Sequence, residues 1–270
     1  MTKRPVHFQY YSLRPKKRRT KLGLRRLFRK GIPKSQDPYL VIANGHKFKR
    51  LVLEDSYIAA RIATNLKTFS SFGLFPVLVG VYENEIWLEF IEGNTINKLN
   101  YDVINKFAHF YLALYNKAPE KVSATEFGFA HKTHNNLKIL NKLDILTDDI
   151  YSNLDLKLRN ITPEYVWIGY DYTDPFLENF ILTPERNLLA VDVESIYNER
   201  LLGSGIAKAL AIWPPQHGEK FFQEVCKLPF PDFRSYFTFV EISSLAEWIV
   251  RSVLFQKSPF VGPSYFDKFK

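Results

Sequence analysis

Three side chains in the segment YTDPFLENFILTPERNLLAVDVES, residues 172–195, have types and spacing that suit chemistry on phosphate and hydroxyl groups. Asp174 is followed five residues later by Asn179, and Asp192 comes thirteen residues after that. Carboxylate and amide oxygens are suitable ligands for Mg²⁺, which proteins normally share with the phosphates of a substrate. A hairpin formed by the apolar runs FIL and LLAV would bring Asn179 beside Asp192 and leave Asp174 to orient a hydroxyl and accept its proton.

Residues 35–93 predict a small lobe of β-strands with a single helix. The dipeptide Asn44-Gly45 separates two β-rich runs and Glu83-Asn84 separates two more, so each pair of runs is expected to form a hairpin. Between the hairpins, apolar residues recur every three or four positions over 54–68, which is typical of an amphipathic helix. The predicted strands are Tyr39–Ala43, Phe48–Leu53, Val77–Tyr82 and Glu85–Phe90.

Residues 94–270 predict a larger, mainly helical lobe. Apolar side chains between Ile104 and Tyr115 share one helical face, and helical segments dominate thereafter. Short strands are expected around the segment that carries Asp174, at Tyr165–Ile168, Phe180–Leu182 and Leu188–Val191. With a basic arm that is expected to be flexible, the chain divides into residues 1–34, 35–93 and 94–270.

The quoted segment resembles a known family. TDPFLEN fits the D-x-x-x-x-N loop of protein-kinase-like phosphotransferases, and AVDVES fits their following metal-binding Asp. The whole segment is similar to the H-G-D-x-x-x-x-N-I-L…x-I-D-F-E version of aminoglycoside and choline phosphotransferases and of bacterial sugar and lipopolysaccharide-core kinases. WLEFIEG, Trp87 to Gly93, resembles their E-Y-I-E-G hinge. The resemblance covers about residues 35–260 and implies an α+β, bilobal protein-kinase-like fold: a small antiparallel β lobe with one helix, then a larger mainly helical lobe.

The resemblance also implies cofactors and roles. The cofactors would be ATP and Mg²⁺, Asp174 would be the catalytic base or hydroxyl-orienting residue, and Asn179 and Asp192 would hold the metal. The backbone from Glu89 to Ile91 would meet the adenine. Glu194 replaces the Gly of a protein kinase's D-F-G, which favours a small-molecule acceptor.

Several positions depart from the family pattern. Tyr172 replaces the usual His, and no G-x-G-x-x-G covers the phosphates. The lysine that would contact the phosphates is open among Lys47, Lys49 and Arg50, with Lys49 favoured. The helix partner of that lysine is also open, because Ala59, Ala60 and Arg61 occupy the expected positions and the nearest carboxylate is Glu54.

The positive charge belongs to the N-terminal arm. Residues 1–34 contain 13 Lys or Arg and no Asp or Glu, although the whole chain has a net charge of +9. Leu22, Leu24, Leu27 and Phe28 lie among these cations, a pattern that suits a short helix on an anionic membrane surface, while a solvated arm is the competing interpretation. A nucleic-acid partner has only this arm in its favour.

Cysteine and histidine usage narrows the remaining alternatives. A single cysteine, Cys226, and the lack of a secretory leader pattern predict a reducing compartment, so we expect a cytoplasmic protein, peripheral at the inner membrane face if the arm binds lipid. Cys226 lies at helical spacing among apolar residues, which favours core burial. His131 and His134 lack a third ligand for zinc. Asp171 is eight residues from Asn179 and does not fit the loop spacing.

Two functions follow from the sequence. The first is an ATP- and Mg²⁺-dependent phosphotransferase that phosphorylates a hydroxyl of a small or lipid-linked acceptor, with a sugar favoured. The alternative is a catalytically inactive kinase-fold protein that serves as a scaffold or nucleotide sensor, because the lysine and glutamate positions depart from the family. Fold alone does not decide between them.

Overall fold

The computed structural model describes residues 9–12, 38–227, 233–255 and 263–269. The strands in these ranges are β1 (Gln9–Ser12), β2 (Tyr39–Ala43), β3 (His46–Val52), β4 (Leu78–Tyr82), β5 (Glu85–Glu89), β6 (Asn94–Thr95), β7 (Glu120–Ser123), β8 (Tyr165–Tyr172), β9 (Phe180–Leu182), β10 (Leu188–Ala190) and β11 (Ile196–Leu201). The α-helices are α1 (Ser56–Thr68), α2 (Tyr101–Tyr115), α3 (Phe129–Lys142), α4 (Asp148–Ile161), α5 (Ser204–Ile212), α6 (Pro215–Lys227) and α7 (Phe237–Leu254). Short 3-10 turns lie at Leu177–Asn179, Val193–Ser195, Arg234–Tyr236 and Pro263–Phe269.

The chain forms two compact units that differ from the boundaries expected from sequence. The first unit comprises Met1–Asn94 and Ile181–Glu194, and the second comprises Thr95–Phe180 and Ser195–Lys270. Sequence alone assigned 181–194 to the helical lobe. In the structure this segment packs within the first unit, where the Ala190 amide donates a hydrogen bond of 2.9 Å to the Leu74 carbonyl. Gly93 also packs closely against this segment: a Cβ at position 93 would be only 2.5 Å from Ile181 Cγ2.

A five-stranded antiparallel sheet forms the first unit, in the order β1-β2-β3-β5-β4. The turn at Asn44 and Gly45 joins β2 to β3 with φ angles of 52° and 78°, the left-handed pair that a tight hairpin needs. β1 lies within residues 1–34, which were expected to be flexible. Its four residues instead form a strand that pairs with β2. The two tyrosines in QYYS have a high propensity for strands. Pairing with β1 provides hydrogen-bond partners for the backbone groups along the edge of β2. Residues 1–8 and 13–37 lie outside the described ranges.

Helix α1 packs its apolar face on β4 and β5. The buried residues Ala59, Ile62 and Leu66 follow the three- and four-residue spacing that predicted the helix. The helix begins at Ser56 because Asp55 is extended, with φ −150°, and its side chain accepts a hydrogen bond of 2.8 Å from the Ile58 amide. Glu54 therefore lies before the helix and not on it.

The second unit combines helices with a sheet that the sequence did not predict. β11, β8 and β7 form an antiparallel sheet with β8 in the centre, and β8 extends four residues beyond the predicted end at Ile168. β7 and β11 were missed because EKVS and IYNERL are short and largely polar, so their apolar alternation is weak. A further three-stranded sheet has the order β10-β9-β6, and its strand β10 belongs to the first unit.

Aromatic side chains fill the core of the second unit. The Phe107 and Phe180 rings lie 4.5 Å apart, and Tyr172 lies 5.2 Å from Phe180. α2 packs against α6 and β8, while α7 packs against α3 and α5. α7 is buried along most of its length, yet no helix among the described ranges is both long and apolar enough to cross a membrane.

The N-terminus of α5 lies against the end of β8. A Cβ at Gly205 would be 2.1 Å from the Tyr172 carbonyl oxygen and 2.6 Å from the Tyr111 hydroxyl oxygen. Neither atom is at the end of a mobile side chain, because the Tyr111 hydroxyl donates a 2.9 Å hydrogen bond to that same carbonyl. Glycine at this position is therefore what allows the helix to approach the strand.

We expect Gly205→Ala to destabilise the protein by about 3 kcal/mol or more, since an inserted methyl must displace a hydrogen-bonded pair. In a thermal melt this corresponds to a fall in Tm of roughly 6 °C or more. Gly80→Ala on β4 is the matched control, because a Cβ there meets no atom within 4 Å. Equal melting temperatures for the two variants would show that the helix and strand do not hold this close approach.

Candidate active site

The predicted loop from Asp174 to Asn179 is fixed by hydrogen bonds in the second unit. The Asn179 Nδ2 donates to Asp174 Oδ2 at 2.9 Å and to the Asp174 carbonyl at 3.2 Å. The Trp213 Nε1 donates to the Pro175 carbonyl at 3.1 Å, and the Thr173 amide donates to the Ser195 carbonyl at 3.0 Å. The sequence motif is thus a rigid loop that holds two of its three predicted polar side chains together.

A buried carboxyl group supports this loop from below. Asp171 is completely buried, and its oxygens accept hydrogen bonds from the Gly205 amide at 3.0 Å and the Tyr115 hydroxyl at 3.2 Å. The Tyr115 hydroxyl in turn accepts a hydrogen bond from the Gly203 amide at 3.1 Å. Burial raises the pKa of Asp171 to about 7, against the opposing effects of the Gly205 amide, the Arg200 charge and the Tyr115 hydroxyl. Asp171 is therefore a structural residue that joins β8 to α2 and α5.

Tyr172, at the position where the family has His, is fully buried. Its ring meets Phe110 edge-on at 5.6 Å and Phe180 at 5.2 Å. Tyr172 therefore supports the loop by aromatic contacts, and its ring is larger than the imidazole of a histidine.

In the first unit, Lys49 lies beside the other predicted metal ligand. Its Nζ donates to the Val191 carbonyl at 2.6 Å. Burial lowers the pKa of Lys49, while the negative charges of Asp192 and Glu194 act in the opposite direction. Of the three candidate cations, Lys47 instead pairs with Glu92 at 2.5 Å, and Arg50 Nε donates to Glu85 at 3.0 Å. Lys49 is thus the candidate that the structure brings to Asp192.

Helix α1, from which the family resemblance predicts a glutamate, carries the cation Arg61 instead. The pKa of Glu194 is raised, mainly by burial and then by the charges of Asp192 and Glu54. The charges of Lys49 and Arg61 act in the opposite direction. Arg61 is on α1, and the exposed Glu54 precedes that helix. The first unit therefore contains a group of mixed charges in which Glu194 stands close to Lys49.

The predicted hinge lies where β5 ends. The Glu89 amide donates to the Val77 carbonyl at 2.9 Å, and the Phe90 amide donates to the Lys47 carbonyl at 3.3 Å. The Glu89 side chain is exposed and Ile91 is half-buried. Backbone groups at these positions lie at the C-terminal end of β5, the strand that pairs with β3, which carries Lys49.

A cavity of about 280 Å³ in the second unit was not found from sequence. Asp174 lines it, and the other lining residues come from β11, α5, α7 and the loop. They are Phe176, Arg200, Ser204, Lys208, Ser244, Glu247, Trp248, Arg251, Ser252 and Phe255. The one signal in the sequence was Lys208, a charged residue within the otherwise apolar run GIAKALAI. Such a lysine in a buried helix usually has a specific partner.

The partner of Lys208 is the main chain just before the loop. The Lys208 Nζ donates to the Thr173 carbonyl at 2.8 Å and lies 5.3 Å from the centre of the Trp248 ring. Burial, with the nearby Arg200 charge, lowers the pKa of Lys208 to about 8, although the Asp174, Glu247 and Asp171 charges raise it. A cation beside Asp174 is therefore part of the site even though it lies outside the motif.

The remaining candidates have structural partners. His134 Nδ1 lies 2.7 Å from Asp155 Oδ1, and His131 Nε2 lies 2.7 Å from Asn135 Nδ2. Within the described ranges, no three His, Cys, Asp or Glu side chains form a cluster that could hold a metal ion by themselves. Cys226 is half-buried on α6.

The raised pKa of Asp171 predicts a pH-dependent stability. The folded carboxyl holds its proton up to about pH 7, whereas the unfolded one releases it near 3.8, so raising the pH between these values destabilises the folded state. Asp171→Asn does not titrate, so its stability relative to wild type should increase over that range by about 1.4 kcal/mol for each pH unit.

Urea unfolding of both proteins between about pH 4 and pH 8 measures this difference. Asp144→Asn is the control, since Asp144 is exposed and has a left-handed φ of 54° that asparagine tolerates. A constant difference between wild type and Asp171→Asn across the pH range would contradict the raised pKa.

No protein-family model matches this chain, and no curated protein matches it by sequence. Solved structures do match. Choline kinase LicA from Streptococcus pneumoniae has a TM-score of 0.61 at 14% identity, covering 86% of each chain. Macrolide 2'-phosphotransferase MphH from Brachybacterium faecium has a TM-score of 0.59 at 9% identity, covering 86% of this chain and 88% of that one. An ethanolamine kinase from Plasmodium vivax has a TM-score of 0.56 at 11% identity, covering 86% of this chain and 76% of that one.

These similarities establish the fold. The chain has the α+β, protein-kinase-like fold of small-molecule phosphotransferases, as the resemblance of its motifs predicted. The identities are too low to transfer an activity, so the function must be argued from the residues of the site.

Proposed function

We propose that this protein is an ATP- and Mg²⁺-dependent phosphotransferase that acts on a hydroxyl group of a small acceptor. The observation that carries the proposal is Asp174, which lines a cavity and whose carboxylate is oriented by Asn179 at 2.9 Å. Several phosphotransferases and kinases of small molecules share the fold, which supports an acceptor of that size. A carboxylate fixed beside a cavity is the arrangement that an acceptor hydroxyl requires.

The donor atoms fit Mg²⁺. The Asn179 Nδ2 points at Asp174, which leaves the amide oxygen Oδ1 as the atom for a metal, and Asp192 contributes a carboxylate by its position in the motif. Hard oxygen ligands of this kind, completed by waters and phosphates, are what Mg²⁺ prefers. When bound, the ion would neutralise charge on the phosphates.

Each remaining residue has a role in binding or proton movement. Lys49 would contact the phosphates, and its two neighbouring carboxylates favour the charged form that this contact needs. The Glu89 carbonyl and the Ile91 amide would meet the adenine. The acceptor oxygen forms a bond to the γ-phosphorus as the bond to the β,γ-bridging oxygen breaks and ADP leaves, while Asp174 accepts the hydroxyl proton and releases it to solvent.

One observation favours the alternative, an inactive kinase-fold scaffold or nucleotide sensor. α1 carries Arg61 near Glu194, where a catalytic member of the family would have a glutamate for the lysine. In the proposed enzyme Glu194 takes that partnership instead, since its charge acts on Lys49. The two functions therefore differ in whether the site binds Mg·ATP through Asp192 and turns it over.

We expect Asp192→Asn to weaken Mg·ATP binding at least tenfold, because it removes a charged metal ligand. Asp174→Asn should retain Mg·ATP binding and lower ATP turnover by about a hundredfold or more, since proton transfer contributes that much. Calorimetry and an ADP-release assay measure the two effects. Asp144→Asn removes an equal charge at an exposed position and should match wild type in both.

Two outcomes would count against the enzyme. Wild type without Mg·ATP binding would leave only a scaffold, and binding unchanged in Asp192→Asn would point to a nucleotide sensor that does not use the metal.

The basic arm supports a lipid-linked acceptor, with a sugar as in lipopolysaccharide-core kinases. An anionic membrane face would attract cations that alternate with leucines, and this would bring the enzyme to a lipid-anchored substrate. The interpretation includes a cytoplasmic location at the inner membrane face. It relies on the sequence, because 13–37 lie outside the described ranges.

Replacing the nine Lys and Arg residues between positions 16 and 30 by Gln should abolish sedimentation with phosphatidylglycerol vesicles while leaving β1 intact. Each lost cation removes about 1 kcal/mol of attraction near an anionic surface, and wild-type binding should weaken with added salt. Neutral phosphatidylcholine vesicles are the control. Sedimentation that the substitutions leave unchanged, or binding of wild type to oligonucleotides in preference to vesicles, would contradict a membrane role.

A further inference from the structure

The cavity beside Asp174 has more cations than carboxylates in its lining. Arg200, Lys208 and Arg251 contribute positive charge, and Asp174 and Glu247 contribute negative charge. Asp174 is assigned to the acceptor hydroxyl in the proposed function. Since the Asp174 charge acts on Lys208, Glu247 is the carboxylate that faces the two arginines.

Glu247 is shared too widely to neutralise them. Its Oε2 lies 3.0 Å from Lys132 Nζ, outside the cavity, while its Oε1 lies 3.6 Å from Arg200 and 3.8 Å from Arg251. The last two distances exceed those of a hydrogen bond. Burial alone would raise the pKa of Glu247, but Arg200, Lys132 and Arg251 lower it, so the group stays ionised. Glu247 therefore faces both arginines without a short contact to either of them.

The arginines have donor groups to offer a ligand. Arg200 Nε is buried and makes no hydrogen bond within the part of the chain that the structure describes. Arg251 is 58% exposed on the last turns of α7, at the cavity rim. Guanidinium groups suit carboxylate and phosphate because their donors match two oxygens at once.

The rest of the cavity limits what the ligand can be. The Trp248 ring, 6.3 Å from the Phe176 ring, provides an apolar wall next to the cations. The cavity volume of about 280 Å³ falls just below the range of about 300–1,000 Å³ for drug-sized ligands. It therefore suits one compact molecule. Like-charge repulsion disfavours amines and quaternary ammonium compounds here.

We propose that this cavity is the acceptor site and that the acceptor carries a carboxylate or a phosphate, which Arg200 and Arg251 bind while Asp174 orients the hydroxyl. The inference rests on the proposed function and adds the substrate class: an anionic hydroxyl compound such as a sugar acid or a sugar phosphate. The γ-phosphoryl group of ATP passes to the hydroxyl oxygen, ADP leaves, and the proton passes to Asp174. Lys208, whose pKa of about 8 leaves it mostly charged at neutral pH, adds to the attraction.

The test is ligand binding by calorimetry without nucleotide, on wild type, Arg251→Gln and Arg200→Gln. The probes are inorganic phosphate, glucose 6-phosphate, glucuronate, glucose, glucosamine and choline. Because Arg251 is the more exposed arginine, its variant tests the proposal even if Arg200→Gln fails to fold. Arg159→Gln on α4 is the matched control, since Arg159 is 71% exposed and pairs with Asp155, away from the cavity lining.

We expect inorganic phosphate and at least one anionic sugar to bind at least tenfold more tightly than glucose, because charge-assisted hydrogen bonds are the strong ones. Arg251→Gln should weaken this binding about tenfold, Arg159→Gln should not, and added salt should weaken it in wild type. Comparison of glucose 6-phosphate with glucuronate identifies phosphate or carboxylate as the group that is bound.

Turnover separates this inference from the proposed function. With Mg·ATP and the best probe, Arg251→Gln should raise KM with little change in kcat, and its Mg·ATP affinity should equal that of wild type. Mg·ATP binding together with phosphate and anionic sugars that bind no better than glucose, or that bind Arg251→Gln equally well, would overturn the inference and leave the phosphotransferase intact. Arg251-dependent binding of an anion in a protein that does not bind Mg·ATP would overturn the proposed function and retain the ligand class.

Discussion

The second unit depends on a single buried carboxyl group. Asp171 has no exposed surface, and it accepts hydrogen bonds from an amide at the start of α5 and from a hydroxyl on α2. Burying such a group is costly unless its oxygens are satisfied, so the helices and the strand cannot move apart without exposing unpaired groups. The loop begins only three residues later, and this places its carboxylate relative to helices that are distant in sequence.

Carbonyl oxygens hold the loop and the two residues that precede it. The Tyr172, Thr173 and Pro175 carbonyls accept hydrogen bonds from side chains of Tyr111, Lys208 and Trp213, respectively. Main-chain acceptors fix the path of the loop whatever side chains it carries. The groups that fix the path of the loop are thus separate from the Asp174 carboxylate, a division of roles that favours precise placement of a reacting group.

Local patterns in the sequence predicted much of the first unit and one loop of the second. The Asn44-Gly45 turn, the amphipathic spacing of α1 and the Asp174-to-Asn179 interval each depend on a few neighbouring residues, so they are visible in one chain. The cavity was not visible because Arg200, Lys208 and Arg251 come from β11, α5 and α7, and only tertiary structure brings them together. The role of Asp171 was missed for the same reason, since its partners Gly205 and Tyr115 lie 34 and 56 residues away.

β1 alters the meaning of the basic segment that follows it. Ser12 pairs with Tyr39 across adjacent strands, so the chain that leaves the sheet after residue 12 returns beside its point of departure. In the sequence, the cations therefore lie between two strands that pair in one sheet, and both strands belong to the first unit. A surface that attracts these cations would hold the first unit through two covalent connections, at Ser12 and at Tyr39, and a double attachment resists rotation in a way that a single tether does not. Binding of this kind would restrict which side of the first unit faces the surface as well as keep the protein nearby.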